Sequence, residues 1–152
     1  MRAGSFRLAI FAAALAAGGF ALLAALWFGG PERIAWDDPV QVEQGRAIYA
    51  QNCAACHGRE LEGEADWRRR KDNGRLPAPP HDASGHTWHH PGAQLFEITK
   101  SGMSAVVPGY ESDMPVFGGV LSDAEIWAVL AFIKSTWPQE IRARHDALDA
   151  RE

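Results

Sequence analysis

Two cysteines and a histidine stand together in "NCAACHG", residues 52–58, and Cys53 and Cys56 are the only cysteines of the 152-residue chain. Thiolates and neutral imidazoles are nucleophiles and metal ligands, so the spacing C-x-x-C-H admits three chemistries. A thioredoxin-type redox pair belongs at the start of a helix that follows a strand. The segment before Cys53, "DDPVQVEQGRAIYAQN", reads instead as a helix opened by Asp37 or Asp38 and Pro39, with apolar residues at Val40, Val42, Ala47, Ile48 and Ala50. A zinc site needs four ligands, so two histidines from "HDASGHTWHH" would have to join the cysteines at a spacing longer than common finger patterns, leaving His57 without a task. Covalent attachment of a c-type haem uses every member of the motif. The two intervening residues let both sulfurs reach vinyl groups on one porphyrin edge, and the next residue turns its imidazole onto the iron. That reading implies one haem and consumes both thiols as thioethers.

Beyond the motif, the chain resembles the class I cytochrome c family. "GRAIYAQNCAACHG" has the family's layout, in which a glycine, Gly45, is followed four residues later by an aromatic, Tyr49, and four later again by the first cysteine. The resemblance implies that Gly45 and Tyr49 mark the crossing of an N-terminal with a C-terminal helix, where Val129 and Phe132 supply the other side. A mid-helix glycine costs about 1 kcal/mol relative to alanine, which a close helix approach offsets. "ESDMPVFGGVLSDAEIWAVLAFIKSTWP" matches the family's methionine, aromatic–glycine pair and final helix. Met114 is thereby implied as the second axial ligand of the iron beside His57, with Phe117 in the haem pocket. Pro115 biases Met114 toward extended geometry, and Gly118 and Gly119 allow the loop to fold closely. The competing readings are Met114 as a core filler and Met103 as the ligand, but Met103 follows a helix without a comparable frame. In "LPAPPHD", Pro79 is implied as the carbonyl that accepts the proximal imidazole proton, and "PGAQLFEITKSG" as the short middle helix, with Leu95, Phe96 and Ile98 lining the pocket. Trp88 is a candidate indole donor to a haem propionate.

The fold implied is all-α: a class I cytochrome c fold with crossing N- and C-terminal helices, a short middle helix and one covalent haem c in a crevice. Its implied function is one-electron transfer between redox protein partners. A peroxidase-type enzyme needs an open iron site, against which Met114 argues. Ser122 and Glu125 in "SDAE" form a capping box for the final helix, whose apolar positions are Ile126, Val129, Leu130 and Ile133. Two segments fit the family pattern poorly. "EADWRRRKDNGR" reads as a solvated loop or a docking or propionate contact through Arg68, Arg69, Arg70 and Lys71. "HDASGHTWHH" gathers His81, His86, His89 and His90, which read as surface or propionate contacts or, in a rival account, as a copper or zinc site of a metal-handling or sensor protein.

Leu8 to Gly30 contains no charged residue. As a helix rising about 1.5 Å per residue it spans a hydrocarbon core roughly 30 Å thick. It exceeds the usual h-region of about 7–15 residues and lacks a clean cleavage site, so an uncleaved anchor is expected over a signal peptide. Arg2 and Arg7 precede the span, which places the N-terminus in the cytoplasm and the rest of the chain in the periplasm of a bacterial inner membrane, with Trp27, Phe28 and Trp36 at the interface. The expected organisation is an anchor over 1–30 in contact with lipid through 8–30, a linker over 31–38, the cytochrome domain over 39–137 and a polar helical tail over 138–152. Setting aside the two leading arginines leaves 13 Lys plus Arg against 19 Asp plus Glu. That balance excludes a nucleic-acid role and suits redox partners with basic or apolar docking patches.

Overall fold

The computed structural model describes residues 33–151. Its helices are α1 (Pro39–Asn52), α2 (Ala54–His57), α3 (Gly92–Ser101), α4 (Met103–Val106), α5 (Asp123–Ser135) and α6 (Gln139–Asp149), with a 3-10 turn over Thr87–His89 between α2 and α3. Among the described residues there is no strand, only an isolated bridge between Gly118 and Leu121. The apolar span 8–30 lies outside the described residues, and among those described no helix is long and apolar enough to cross a membrane.

α1 begins where Asp38 accepts hydrogen bonds from the N–H groups of Val40 (2.9 Å) and Gln41 (3.4 Å), while Pro39 fills the first turn, where a missing N–H costs nothing. Its buried face is Gln41, Gly45, Ile48 and Tyr49. This corrects the face expected from hydropathy, since Val40 is exposed and so are Ala47 and Ala50. Gln41 turns inward because its Oε1 accepts from the Ala35 N–H at 3.0 Å, which pairs both of those buried groups. α5 starts with both halves of the capping box, Ser122 Oγ to the Glu125 N–H and the Glu125 carboxylate to the Ser122 N–H.

α1 and α5 cross at Gly45. A Cβ there would press into the Ala128 carbonyl, 2.5 Å from its carbon and 3.0 Å from the Phe132 Cβ, so only glycine lets the two backbones meet. Ile48, Tyr49, Leu61, Val129, Phe132, Ile133, Trp137 and Ile141 close around the crossing as the main core. A second cluster, Ile34, Leu95, Ile126, Leu130 and Ala131, seats α3 on α5. Leu95 packs against α5, and Phe96 stacks on Trp127 with ring centroids 4.5 Å apart.

Both ends of the domain extend beyond the expected boundaries. Within the segment read as a linker, Ile34 and Ala35 are buried, and Trp36 lies under the Arg142 guanidinium at 4.5 Å, so Trp36 belongs to the folded domain. The helix read as a solvated polar tail, α6, buries Ile141 and His145. Arg142 donates to the carbonyls of Ser135 and Trp137. The buried Lys134 ammonium of α5 reaches Asp146 (2.6 Å), Asp149 (3.3 Å) and His145 Nδ1 (2.8 Å) on α6. Asp149 also accepts from the Gly92 N–H at 2.6 Å, which ties the start of α3 to the same centre. A charged helix docks here because Arg142, Asp146 and Asp149 meet partners on α5 and its end, a pairing that hydropathy does not register.

Candidate functional site

α2 is a single turn that follows α1 directly. The Cys53 N–H donates to Tyr49 O at 2.9 Å and the His57 N–H to Cys53 O at 3.0 Å, so Cys53, Cys56 and His57 share one turn. Cys53 is half-buried, Cys56 is exposed, and neither is in a disulfide. Burial pushes the Cys53 thiol up to about 11. Reactive redox cysteines are shifted the other way, which weighs against a dithiol pair.

His57 is buried, and its Nδ1 donates to the Pro79 carbonyl at 2.8 Å. That bond places the proton on Nδ1 and leaves the lone pair on Nε2. Burial lowers the His57 pKa below the ordinary histidine value, with the Pro79 bond opposing, so the ring is neutral at pH 7, the form that ligates a metal. The Tyr49 hydroxyl donates to Gly58 O (3.0 Å) and lies 3.4 Å from His57 O, joining α1 to the exit from α2. Burial holds this phenol far above its ordinary pKa, so it remains a donor.

His81 stacks on His57 with centroids 4.0 Å apart, a contact between residues far apart in sequence. Its Nδ1 is 2.8 Å from Thr87 Oγ1, its N–H donates to Leu61 O at 2.8 Å, and its carbonyl accepts the Trp137 indole N–H at 2.8 Å. Burial first, then the neighbouring His57 and His86, drive its pKa well below the ordinary value, so His81 is a neutral wall behind the imidazole. Leu61, which supplies the anchoring carbonyl, has φ +65° with its side chain in the main core. Sequence reasoning missed Leu61 and Trp137, because a left-handed leucine and a tryptophan donating to a distant carbonyl leave no local signal.

The other histidines do not converge. His86 lies parallel to Trp67 at 5.3 Å and meets His90 edge-on at 5.2 Å, His89 stacks on Trp88, and His90 Nδ1 faces Gln94 Oε1 at 3.2 Å. The Trp88 indole lies 3.4 Å from Ala83 O, a local acceptor for the N–H read as a propionate donor. Among the described residues, the one group of three side chains placed to share a metal is His145, Asp146 and Asp149, beside which stands the Lys134 ammonium. The cysteines join no such group, which weighs against zinc.

Met114 is half-buried in the loop between α4 and α5, its N–H donating to Ser112 Oγ at 3.1 Å. Just beyond it, the Phe117 N–H donates to Thr99 O (3.1 Å) and the Gly118 N–H to Lys100 O (2.8 Å), pinning the loop to the end of α3. Phe117 is buried, and a Cβ on Gly118 would sit 2.9 Å from the Lys100 carbonyl oxygen. The arginine-rich segment is not free in solvent throughout. Lys71 pairs with Glu64 (3.3 Å) and Asp113 (3.7 Å), Arg75 pairs with Asp113 (2.6 Å) and Glu111 (3.8 Å), and Arg68 lies over Trp67.

Two cysteines outside any disulfide and a neutral imidazole of fixed tautomer on one turn make a donor set that fits a covalently attached haem. The comparisons agree. The family model described as cytochrome C oxidase, cbb3-type, subunit III matches residues 40–133. A thiosulfate dehydrogenase of Stutzerimonas stutzeri (strain A1501) is 32% identical over 96 residues, covering 62% of this chain and 27% of that protein. The chain thus spans about a quarter of that relative's length. No solved structure matches the chain significantly. With helices, motif and family in agreement, the chain belongs to the cytochrome C oxidase, cbb3-type, subunit III family and is a class I c-type cytochrome with covalently bound haem c.

Proposed function

We propose that this cytochrome is a single-electron carrier whose haem is attached through Cys53 and Cys56 and ligated by His57 and Met114. Residues 8–30 would anchor it to a bacterial inner membrane with the haem domain in the periplasm. The observation that carries this reading is the His57 Nδ1 bond to Pro79 O at 2.8 Å, which orients one imidazole and frees its other nitrogen for iron. Haem c supplies the one-electron couple, and a thioether ligand favours its ferrous form. The chain's residues do the rest: Tyr49 and Pro79 fix the proximal turn, and Phe117 and Gly118 hold the methionine loop against α3. A carrier needs this immobility, since small reorganisation between oxidation states keeps transfer fast. The family's description as an oxidase subunit supports a membrane-bound redox partner, and a tether would raise the effective concentration of the two. The relative's dehydrogenase activity belongs to a protein of which this chain covers 27%, and we read the present chain as a carrier, not an enzyme. The copper-handling alternative is not favoured, since among the described residues His81, His86, His89 and His90 join no group of three ligands placed to share a metal.

The test is Met114→Ala in the haem-loaded, membrane-bound chain. The reading expects a lower reduction potential, loss of the weak sulfur-to-iron charge-transfer band, and an iron newly open to carbon monoxide. Unchanged values would remove Met114 from the site.

A further inference from the structure

The loop that carries Met114 is secured unevenly. On its C-terminal side the backbone bonds of Phe117 and Gly118 lock it to α3. On its N-terminal side, between Val107 and Asp113, the backbone bonds among the described residues are local ones, from the Val107 N–H to Met103 O and from the Tyr110 N–H to Val107 O. The polar tethers that leave the loop on that side are ionic: Asp113 to Arg75 (2.6 Å) and Lys71 (3.7 Å), and Glu111 to Arg75 (3.8 Å). Both cations belong to a loop whose base is closed by Glu64. The Glu64 N–H donates to Ala78 O at 2.8 Å, and the Ala78 N–H donates to the Glu64 carboxylate at 2.6 Å. The other oxygen of that carboxylate holds Lys71 at 3.3 Å. Ala78 immediately precedes Pro79, the acceptor of the His57 proton.

We infer that Lys71 and Arg75 are positioning residues for the axial methionine, forming an ionic strap that runs from the His57 support through Ala78, Glu64, Lys71 and Asp113 to Met114. The inference rests on Met114 ligating the iron. A thioether is a neutral, weak donor that an incoming anion can displace, so whatever restrains its loop sets how readily the iron opens. The strap is partly solvent-exposed, its side chains showing 37–44% of their surface at Lys71, Arg75, Asp113 and Glu64, so each link contributes modestly and is sensitive to salt.

The experiment measures cyanide binding to the ferric, haem-loaded chain, together with the sulfur-to-iron band. Asp113→Asn and Arg75→Gln should each raise cyanide affinity about 1.5-fold to fivefold, the range open to exposed ion pairs. The double variant should fall short of the product of the two single effects, because both substitutions remove the same Arg75–Asp113 pair. Wild-type affinity should rise toward that of the variants as salt approaches about 1 M, where the screening length falls to roughly 3 Å, while the variants barely respond. A wild type that shows the band but whose cyanide affinity ignores salt and both substitutions overturns the strap alone. A wild type that lacks the band and binds cyanide as tightly as Met114→Ala overturns the ligand assignment, and the strap falls with it.

Discussion

Replacing Gly45 by alanine separates helix propensity from helix contact. Propensity alone predicts a gain of about 1 kcal/mol, because alanine is the better helix former. The structure predicts a loss. The added Cβ would stand 2.5 Å from the Ala128 carbonyl carbon, and both groups are backbone-bound, so neither can rotate away. Restoring a carbon–carbon separation of about 3.5 Å requires α1 and α5 to part by roughly 1 Å, and a gap of that size forfeits about a quarter to a half of each van der Waals contact. Ile48, Tyr49, Val129 and Phe132 are all buried around this crossing. Each contributes about 1.5–3 kcal/mol by burial, so losing a quarter to a half of that across four side chains and subtracting the propensity gain leaves a net destabilisation of about 0.5–5 kcal/mol. At about 4 °C per kcal/mol for a domain of this size, the melting point of the haem-loaded protein should fall by about 2–20 °C in a circular dichroism melt. Ala47→Gly, on the exposed side of the same helix, serves as control and should cost only about 1 kcal/mol. A Gly45→Ala variant as stable as the parent would refute the close crossing.

Tyr49→Phe removes the bond to Gly58 O while keeping the ring against Phe132, so urea unfolding should show a loss of about 1 kcal/mol, and a neutral result would mean that the hydroxyl does not tie α1 to the motif turn. His145 should make stability fall in mild acid. Burial and the Lys134 ammonium lower its folded pKa below the ordinary 6.5, with Asp149, Asp146 and the His90 backbone opposing, so the unfolded chain takes up the proton first. Its contribution is complete above about pH 6.5 and is lost as pH drops below that value, by at most about 1.4 kcal/mol per pH unit. His145→Gln, compared with the parent across pH 5–7.5 in chemical unfolding, should flatten part of that decline, and parallel curves would acquit the residue.

The haem turn was legible in the sequence because its residues are adjacent, and one local motif specifies a thiol pair and an imidazole whatever surrounds them. Gly45 was legible for a different reason: a glycine that costs helix stability points to a contact that needs it. Asp38 with Pro39 and Ser122 with Glu125 were readable as helix starts because capping chemistry acts over three or four residues. What escaped depends on long-range pairing of polar groups. Gln41 is buried by one bond to Ala35, α6 is docked by one ammonium, and the loop of arginines is folded back by Glu64 and Asp113. In each case a side chain scored as solvent-seeking finds its partner elsewhere in the chain, and no periodicity announces the partner. His81 belongs with these. It was noticed as one of four clustered histidines, whereas its place is against His57.

The most direct measurement is intact mass with a pyridine haemochrome spectrum on denatured protein, for the parent and for Cys53→Ser with Cys56→Ser. The parent should carry the mass of one haem through denaturation, with the spectrum of a haem joined by two thioethers, and the double variant should carry none. A parent of unmodified mass, or a double variant that still retains covalent haem, would contradict the assignment of Cys53, Cys56 and His57 as the attachment site.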